Sequence, residues 1–269
     1  MGHRIEKWQN GISVDQFQYA STLKPIEISK QRAVNKTSEL SDKEKHAYSA
    51  AVGQLNWIAT STRPDIAFDI CELSVSFSRA TVSDLLRLNK VVSRVATDNI
   101  RLYFPEITPL EECYIECFSD ASFANLCDNG SQGAFILFLR DEKGSHCPIY
   151  WQTREICRVV KSTLAAETLA LLESAEAAVY VRAVLSDLLN GCELKIKCHV
   201  DNKSLVDALH STKSVDDRRL RIDISVSKDM LEKREIDGVS WIESTSQLAN
   251  CLTKKGASCE RLWTAVSGN

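Results

Sequence analysis

The sequence predicts an α/β protein, with a mixed five-stranded sheet flanked by helices and a small helical unit in front of it. Three observations carry this reading. From Ser41 to about residue 97 apolar residues recur at helical spacing, then the pattern shifts near Ile100 to short strand-like runs. Three such runs follow one another closely, separated by turn residues. After them, helical and strand segments alternate, as they do when crossover units extend a meander into a mixed sheet.

Taken in order, residues 1–40 are weakly periodic and interrupted by Pro25, so an irregular arm is expected. Ser41-Asp-Lys-Glu44 reads as a capping box, and Tyr48, Val52, Leu55 and Ile58 continue one apolar face. Pro64 suits the first turn of a second helix carrying Ile66, Ile70, Leu73 and Phe77. A third helix starts near Ser83, which defines a helical connection unit over 41–105. Strands are expected at 113–118, 133–139 and 147–152. Asp128-Asn-Gly130 and Asp141-Glu-Lys-Gly144 supply the turns between them. A long helix over about 162–189, a strand at 194–200, helices near 203–211 and 217–234, a strand at 236–242 and a helix at 245–252 follow, leaving a tail at 256–269. If the strand at 194–200 runs parallel to the one at 113–118, a right-handed crossover through the long helix joins them.

Composition narrows the function less than the motifs do. The chain has 269 residues, 44% hydrophobic and 26% charged, with net charge −3, so it lacks the basic bias of many nucleic-acid binders. Ten scattered cysteines without a Cys-x-x-Cys pair, behind a charged N-terminus, point to buried thiols in a reducing compartment. No apolar run has membrane-spanning length, so no membrane partner is expected.

Three acids stand out. Asp120 closes the first strand run, Asp201 closes the run at 194–200, and Glu167 interrupts an Ala/Leu-rich helical stretch where a charge is out of place. Singly, Asp120 reads equally as a turn acid, Glu167 as a solvated helix residue and Asp201 as a helix cap. The parallel pairing would bring all three to one rim. Hard divalent cations prefer such oxygen ligands, and a pair of them activates water and stabilises a leaving oxygen in phosphoryl transfer. No Ser-His-Asp arrangement, Cys-His arrangement or Gly-rich phosphate loop competes.

The strings Phe118-Ser-Asp-Ala-Ser122, Ser131-Gln-Gly-Ala-Phe135, Ile149-Tyr-Trp-Gln152, Lys161-Ser-Thr-Leu-Ala-Ala-Glu167, Val200-Asp-Asn-Lys-Ser204, Arg221-Ile-Asp-Ile224 and Gln247-Leu-Ala-Asn-Cys-Leu-Thr-Lys254 fit one family in order and spacing. Residues 112–255 resemble the ribonuclease H domain of copia-type retrotransposon Pol polyproteins. Val52-Gly-Gln-Leu-Asn-Trp-Ile58 and Thr62-Arg-Pro-Asp-Ile-Ala-Phe68 resemble the segment that follows the reverse transcriptase there, with residues 1–40 as a remnant of the reverse transcriptase C-terminal region.

The resemblance implies a ribonuclease H-like fold and a metal-dependent endoribonuclease acting on the RNA strand of RNA–DNA hybrids. It carries Asp120, Glu167 and Asp201 over as catalytic ligands of two divalent cations, magnesium or manganese. The fourth acid of the family is here Asn250, which brings no charge. Ser122, Asn202, Lys203, Ser204, Arg218 and Arg219 are candidate substrate contacts, although Asp216, Asp217 and Asp223 interleave with the arginines in the manner of a solvated helix face. A reverse transcriptase polymerase domain is the implied partner, and a virus-like particle in the cytoplasm, or the nucleus, the implied location. The sequence contains no Tyr-x-Asp-Asp, which excludes a working polymerase. Asn250 keeps a second reading open, that of a catalytically weakened or inactive remnant serving as a nucleic-acid or protein interaction module.

Overall fold

The structure, a computed structural model, describes residues 2–75, 77–107, 109–126, 129–188, 191–213 and 215–268. The chain divides into two units, Met1–Tyr103 and Phe104–Asn269.

The first unit opens with the antiparallel strands β1 (Arg4–Trp8) and β2 (Gly11–Asp15), joined through Gln9 and Asn10. An ordered hairpin therefore replaces the irregular arm expected there. Asn10-Gly11 between alternating residues is a common hairpin signal, although here the loop is Gln9-Asn10 and Gly11 opens β2 opposite Trp8. Helices α1 (Phe17–Ala20), α2 (Lys30–Val34), α3 (Asp42–Ser61), α4 (Ala67–Val75) and α5 (Val82–Thr97) follow. Ser41 and Glu44 form the expected capping box at α3, and Thr81 and Asp84 form a second one at α5. Tyr48 is fully buried, and its hydroxyl donates to the Leu73 carbonyl at 2.9 Å. Strand β3 (Leu102–Pro105) straddles the division between the units and adds to the hairpin in the order β1-β2-β3.

The second unit is built on strands β4 (Tyr114–Ser122), β5 (Ser131–Arg140) and β6 (His146–Ile156), then helix α6 (Thr163–Leu188) and strand β7 (Lys195–Val200). Helices α7 (Lys203–His210) and α8 (Arg218–Glu232), strand β8 (Gly238–Trp241) and helix α9 (Glu260–Ser267) complete it. The sheet order is β6-β5-β4-β7-β8. β4–β5 and β5–β6 pair antiparallel, while β4–β7 and β7–β8 pair parallel. An antiparallel meander extended by two parallel strands, with α6 as the crossover, is the ribonuclease H-like mixed sheet that the sequence predicted.

Local chemistry explains the turns and the helix seat. At the β5–β6 turn, the Asp141 carboxylate accepts the backbone N–H groups of Lys143 and Ser145, at 2.9 and 2.8 Å. Gly144 takes φ +97°, which side chains resist. Of the other expected turn, Asp128 lies outside the described residues. The buried face of α6 is mostly small: Ala165, Ala166, Ala170, Ser174, Ala175 and Ala178. Small side chains let the helix axis approach β4, β5 and β7 closely. Ile115, Cys117, Leu137, Ile196 and Cys198 fill the core on that side of the sheet.

Two expectations in the second unit are corrected. Residues 245–252 form 3₁₀ turns at Ser244–Ser246 and Asn250–Leu252 rather than a helix. The Gln247 side chain bonds to backbone there, with its carbonyl accepting the Ala249 N–H at 3.2 Å, and such local bonding competes with helix. The expected tail at 256–269 contains α9, whose Leu262 and Val266 are buried. Among the described residues, no helix is long and apolar enough to cross a membrane.

Ile115 lies on the central strand and is fully buried. Ile115→Ala should therefore cost about 2–5 kcal/mol. Chemical denaturation would check this, and a loss below about 1 kcal/mol would contradict the core described.

Candidate metal centre

Asp120 lies inside β4, opposite Ala134 of β5, and not at the strand tip that the sequence suggested. The reason is that the two neighbours of β4 differ in length. Pairing with β7 stops at Phe118↔His199, whereas pairing with β5 continues to Ser122↔Gln132. Past Phe118 the β7 side of β4 is open, and the Gln247 side chain fills the gap. Its amide donates to the Ser119 carbonyl at 2.9 Å and to the His199 carbonyl at 3.5 Å.

Glu167 sits in the first turns of α6, whose start is capped by the Ser162 hydroxyl accepting the Ala165 N–H at 3.2 Å. Asp201 directly follows β7. It does not cap α7, because the Asn202 side chain does so by accepting the Leu205 N–H at 3.1 Å. The Asp201 carboxylate is thereby left for other work. Its carbonyl accepts the Trp241 indole N–H at 3.0 Å, which ties the strand end to β8.

These placements bring one carboxylate oxygen from each of Asp120, Glu167 and Asp201 within 4.8 Å of the others. Asp120 is 1% exposed and Glu167 4%. Asp120 Oδ1 and Glu167 Oε2 are buried without any hydrogen-bond partner. Buried polar atoms are normally satisfied, so two orphaned carboxylate oxygens within one acidic cluster invite a cation. The same cleft, about 630 Å³, is open to solvent and is also lined by Ser122, Phe123, Asn125, Thr163, Asn202, Lys203 and Lys254. The acidic group is compatible with divalent metal binding.

Burial and like charge both act on the cluster. Burial, then the Asp120 and Asp201 carboxylates, push the Glu167 carboxyl up to about 9. Burial also raises Asp120, against the opposing pull of Lys254 and the Thr253 hydroxyl.

Asn250 is placed differently from expectation. It does not line the cleft, and its side-chain oxygen accepts a hydrogen bond from the Lys254 ammonium. Lys254 Nζ also lies 3.5 Å from Asp120 Oδ2, which the buried Thr253 hydroxyl bonds as well. Ser122 and Lys203 line the cleft, and the Ser122 hydroxyl is buried without a partner. Ser204 is exposed on α7 outside the cleft lining. Arg218 and Arg219 are exposed at the start of α8. Arg219 borders a separate cavity of about 250 Å³, together with Arg158 and Lys161.

Sequence reasoning missed Gln247 and Thr253 as supports of the site. Each is an uncharged polar residue flanked on one side by polar or charged ones, so nothing local marked it, and each proves buried. His199 is a polar link across three strands. Its ring nitrogens contact Glu116 Oε1 and Ser240 Oγ, both at 3.0 Å.

No protein-family model matches the chain, and no curated protein does. Among solved structures, ribonuclease H1 of the halophilic archaeon Halobacterium salinarum is 15% identical, over 50% of this chain and 89% of that one, with a TM-score of 0.35. LC11-RNase H1, solved in complex with an RNA/DNA hybrid, is 14% identical over 49% of this chain and 88% of that one, at 0.37. A foamy viral protease-reverse transcriptase, also in complex with an RNA/DNA hybrid, is 9% identical over 94% of this chain and 31% of that one, at 0.47. The fold assignment stands on the strand order and the crossover described above.

A carboxyl whose folded value lies near 9 and whose unfolded value lies near the usual 4.5 keeps its proton longer in the folded state. The folded state therefore binds more protons across that window, and stability falls as pH rises through it. Chelator-treated chain should melt at progressively lower temperature between about pH 5 and 9, and Glu167→Gln should flatten that slope. An equal slope in the parent and the variant would show that Glu167 is not held in this way.

Proposed function

We propose that the second unit is a divalent-metal-dependent endonuclease that hydrolyses the RNA strand of RNA–DNA hybrids, in the manner of a ribonuclease H. The observation that carries this reading is the pair of orphaned buried oxygens, on Asp120 and Glu167, facing an open cleft beside Asp201. Asp120, Glu167 and Asp201 would hold the metal, magnesium or manganese. Bound there, a divalent cation supplies Lewis-acid polarisation of a phosphodiester oxygen and lowers the pKa of an attacking water.

The chain's own residues supply orientation. Gln247 fixes the backbone on both sides of the strand opening, which sets the direction of Asp120 and Asp201. Thr253 fixes one oxygen of Asp120 and leaves the other without a partner. Lys203 and Ser122 sit where a phosphate backbone would pass. A hybrid is read through its backbone shape and ribose 2′-hydroxyls rather than its base sequence. The arginines at the start of α8 are set aside from this role in favour of Lys203, because they do not line the cleft.

The sequence strings favour an origin in a copia-type Pol polyprotein, with the first unit as the segment following its reverse transcriptase. That origin makes a reverse transcriptase polymerase domain the natural partner, and a virus-like particle or the nucleus the site of action. A second reading, a catalytically weakened remnant, is favoured by one observation. Asn250 brings no charge and is engaged by Lys254.

The purified chain incubated with manganese and a hybrid labelled on its RNA strand should release internal RNA fragments, and single-stranded RNA should stay intact. Asp120→Asn should reduce cleavage by at least about 100-fold, the scale of losing a principal electrostatic contributor. Cleavage that survives this substitution would refute the assigned site. Manganese binding without cleavage would favour the remnant.

A further inference from the structure

The two oxygens of Asp120 have different surroundings. Oδ2 is engaged by the Thr253 hydroxyl and by the Lys254 ammonium at 3.5 Å, whereas Oδ1 is buried and unpartnered, as is Glu167 Oε2. Only one side of this carboxylate is therefore open to a ligand. Lys254 in turn bonds Asn250 and lines the cleft that contains the three acids. The ammonium thus stands between Asp120 and the position where a further acid would be needed to hold a second ion. Resting on the metal-site reading above, we propose that this cleft takes one divalent cation, held by Asp120 Oδ1, Glu167 and Asp201, and that the Lys254 ammonium supplies the second positive charge.

Charge balance agrees. In the metal-loaded cleft, three carboxylates in their ionised form against one ammonium would leave two unbalanced negative charges, which a single divalent cation would neutralise. A second would leave the cleft strongly positive in a partly desolvated site, where unbalanced charge is costly. Lys203 at the rim pushes the balance the same way. Neutral Asn250 fits this arrangement. It accepts a hydrogen bond from the ammonium, as an amide oxygen can, and it adds no charge that would draw another ion. The amine is also a fixed charge that needs no loading from solution, so the site would depend on metal concentration to first order.

The test is a manganese titration of the full chain, followed by the electron paramagnetic resonance of the free ion and by calorimetry. One manganese per chain is expected for the parent and for Asn250→Asp, whose new carboxylate would pair with Lys254. Two are expected for Asn250→Asp combined with Lys254→Gln, which exchanges the ammonium for a neutral group beside a restored acid. Lys254 is 42% exposed at its side chain, so this change spares the core, and a circular dichroism melt checks each variant. Two manganese ions in the parent, or only one in the folded double variant, would overturn the inference while leaving the metal site standing. No manganese bound by the parent would sink the metal-site reading itself, and this inference with it.

Discussion

The parting of β4 from β7 after Phe118↔His199 is the constraint on which the rest of the site depends. Two parallel strands that stayed paired would consume the backbone groups of Ser119 in the ladder. Their separation leaves those groups in need of partners, and an unpaired buried backbone group costs as much as a lost hydrogen bond. Gln247 meets the need with one amide that reaches both strands. The C-terminal segment is thereby drawn over the opening, and Thr253 and Lys254 arrive at Asp120 as a consequence. A sheet that pairs fully along β4–β5 and only partly along β4–β7 makes room for chemistry at its parallel half without giving up its antiparallel half.

The cluster works against the fold that holds it. Three carboxylates in one cleft, two of them buried, repel one another and resist desolvation, as the high value of Glu167 shows. A protein under no functional demand would be more stable with an amide at either buried position. The compensation lies nearby, in the apolar face of α6 against β4 and β5 and in the polar ties of Gln247, Thr253 and Thr153. The Thr153 hydroxyl donates to the Leu252 carbonyl at 2.6 Å and is itself bonded by the Gln132 amide at 2.7 Å. These bonds clamp the C-terminal turns to the meander, so the strain is carried by a framework rather than by a loop.

The order of the elements and the convergence of Asp120, Glu167 and Asp201 were legible in the sequence, because both follow from periodicity and from a Glu where helix packing wants Ala. What was not legible depends on partners. Whether Asp120 ends a strand or lies within it is decided by how far β5 extends beyond β7, and no local pattern around Asp120 encodes that. The segment 245–252 has helical spacing of Leu248 and Leu252, yet the Gln247 side chain diverts it into 3₁₀ turns by bonding to backbone across 128 residues of sequence. Asp201 as a cap and Asn202 as a cap are equivalent on paper, and only the turn geometry at α7 chooses Asn202. The hairpin of β1 and β2 could have been read from Asn10-Gly11, and the mixed composition around it hid the signal.

Net charge bears on how such a site meets a polyanion. The chain as a whole is negative, at −3, so it offers no long-range attraction to nucleic acid. At physiological ionic strength, exposed charges more than about 8 Å apart are largely screened in any case. If the proposed function holds, binding would be decided within the cleft, where the acids by themselves would repel a phosphate. A bound cation together with Lys254 would offset the three carboxylates, and Lys203 at the rim would leave the wall attractive to a phosphate. Metal occupancy and substrate affinity are thus one linked equilibrium. A phosphodiester that neutralises the surplus positive charge would tighten the ion, and the ion would tighten the phosphodiester by the same factor. On the proposed function, the weak overall field would be selective, because nucleic acid would be retained only where a metal-loaded cleft and a correctly shaped backbone coincide.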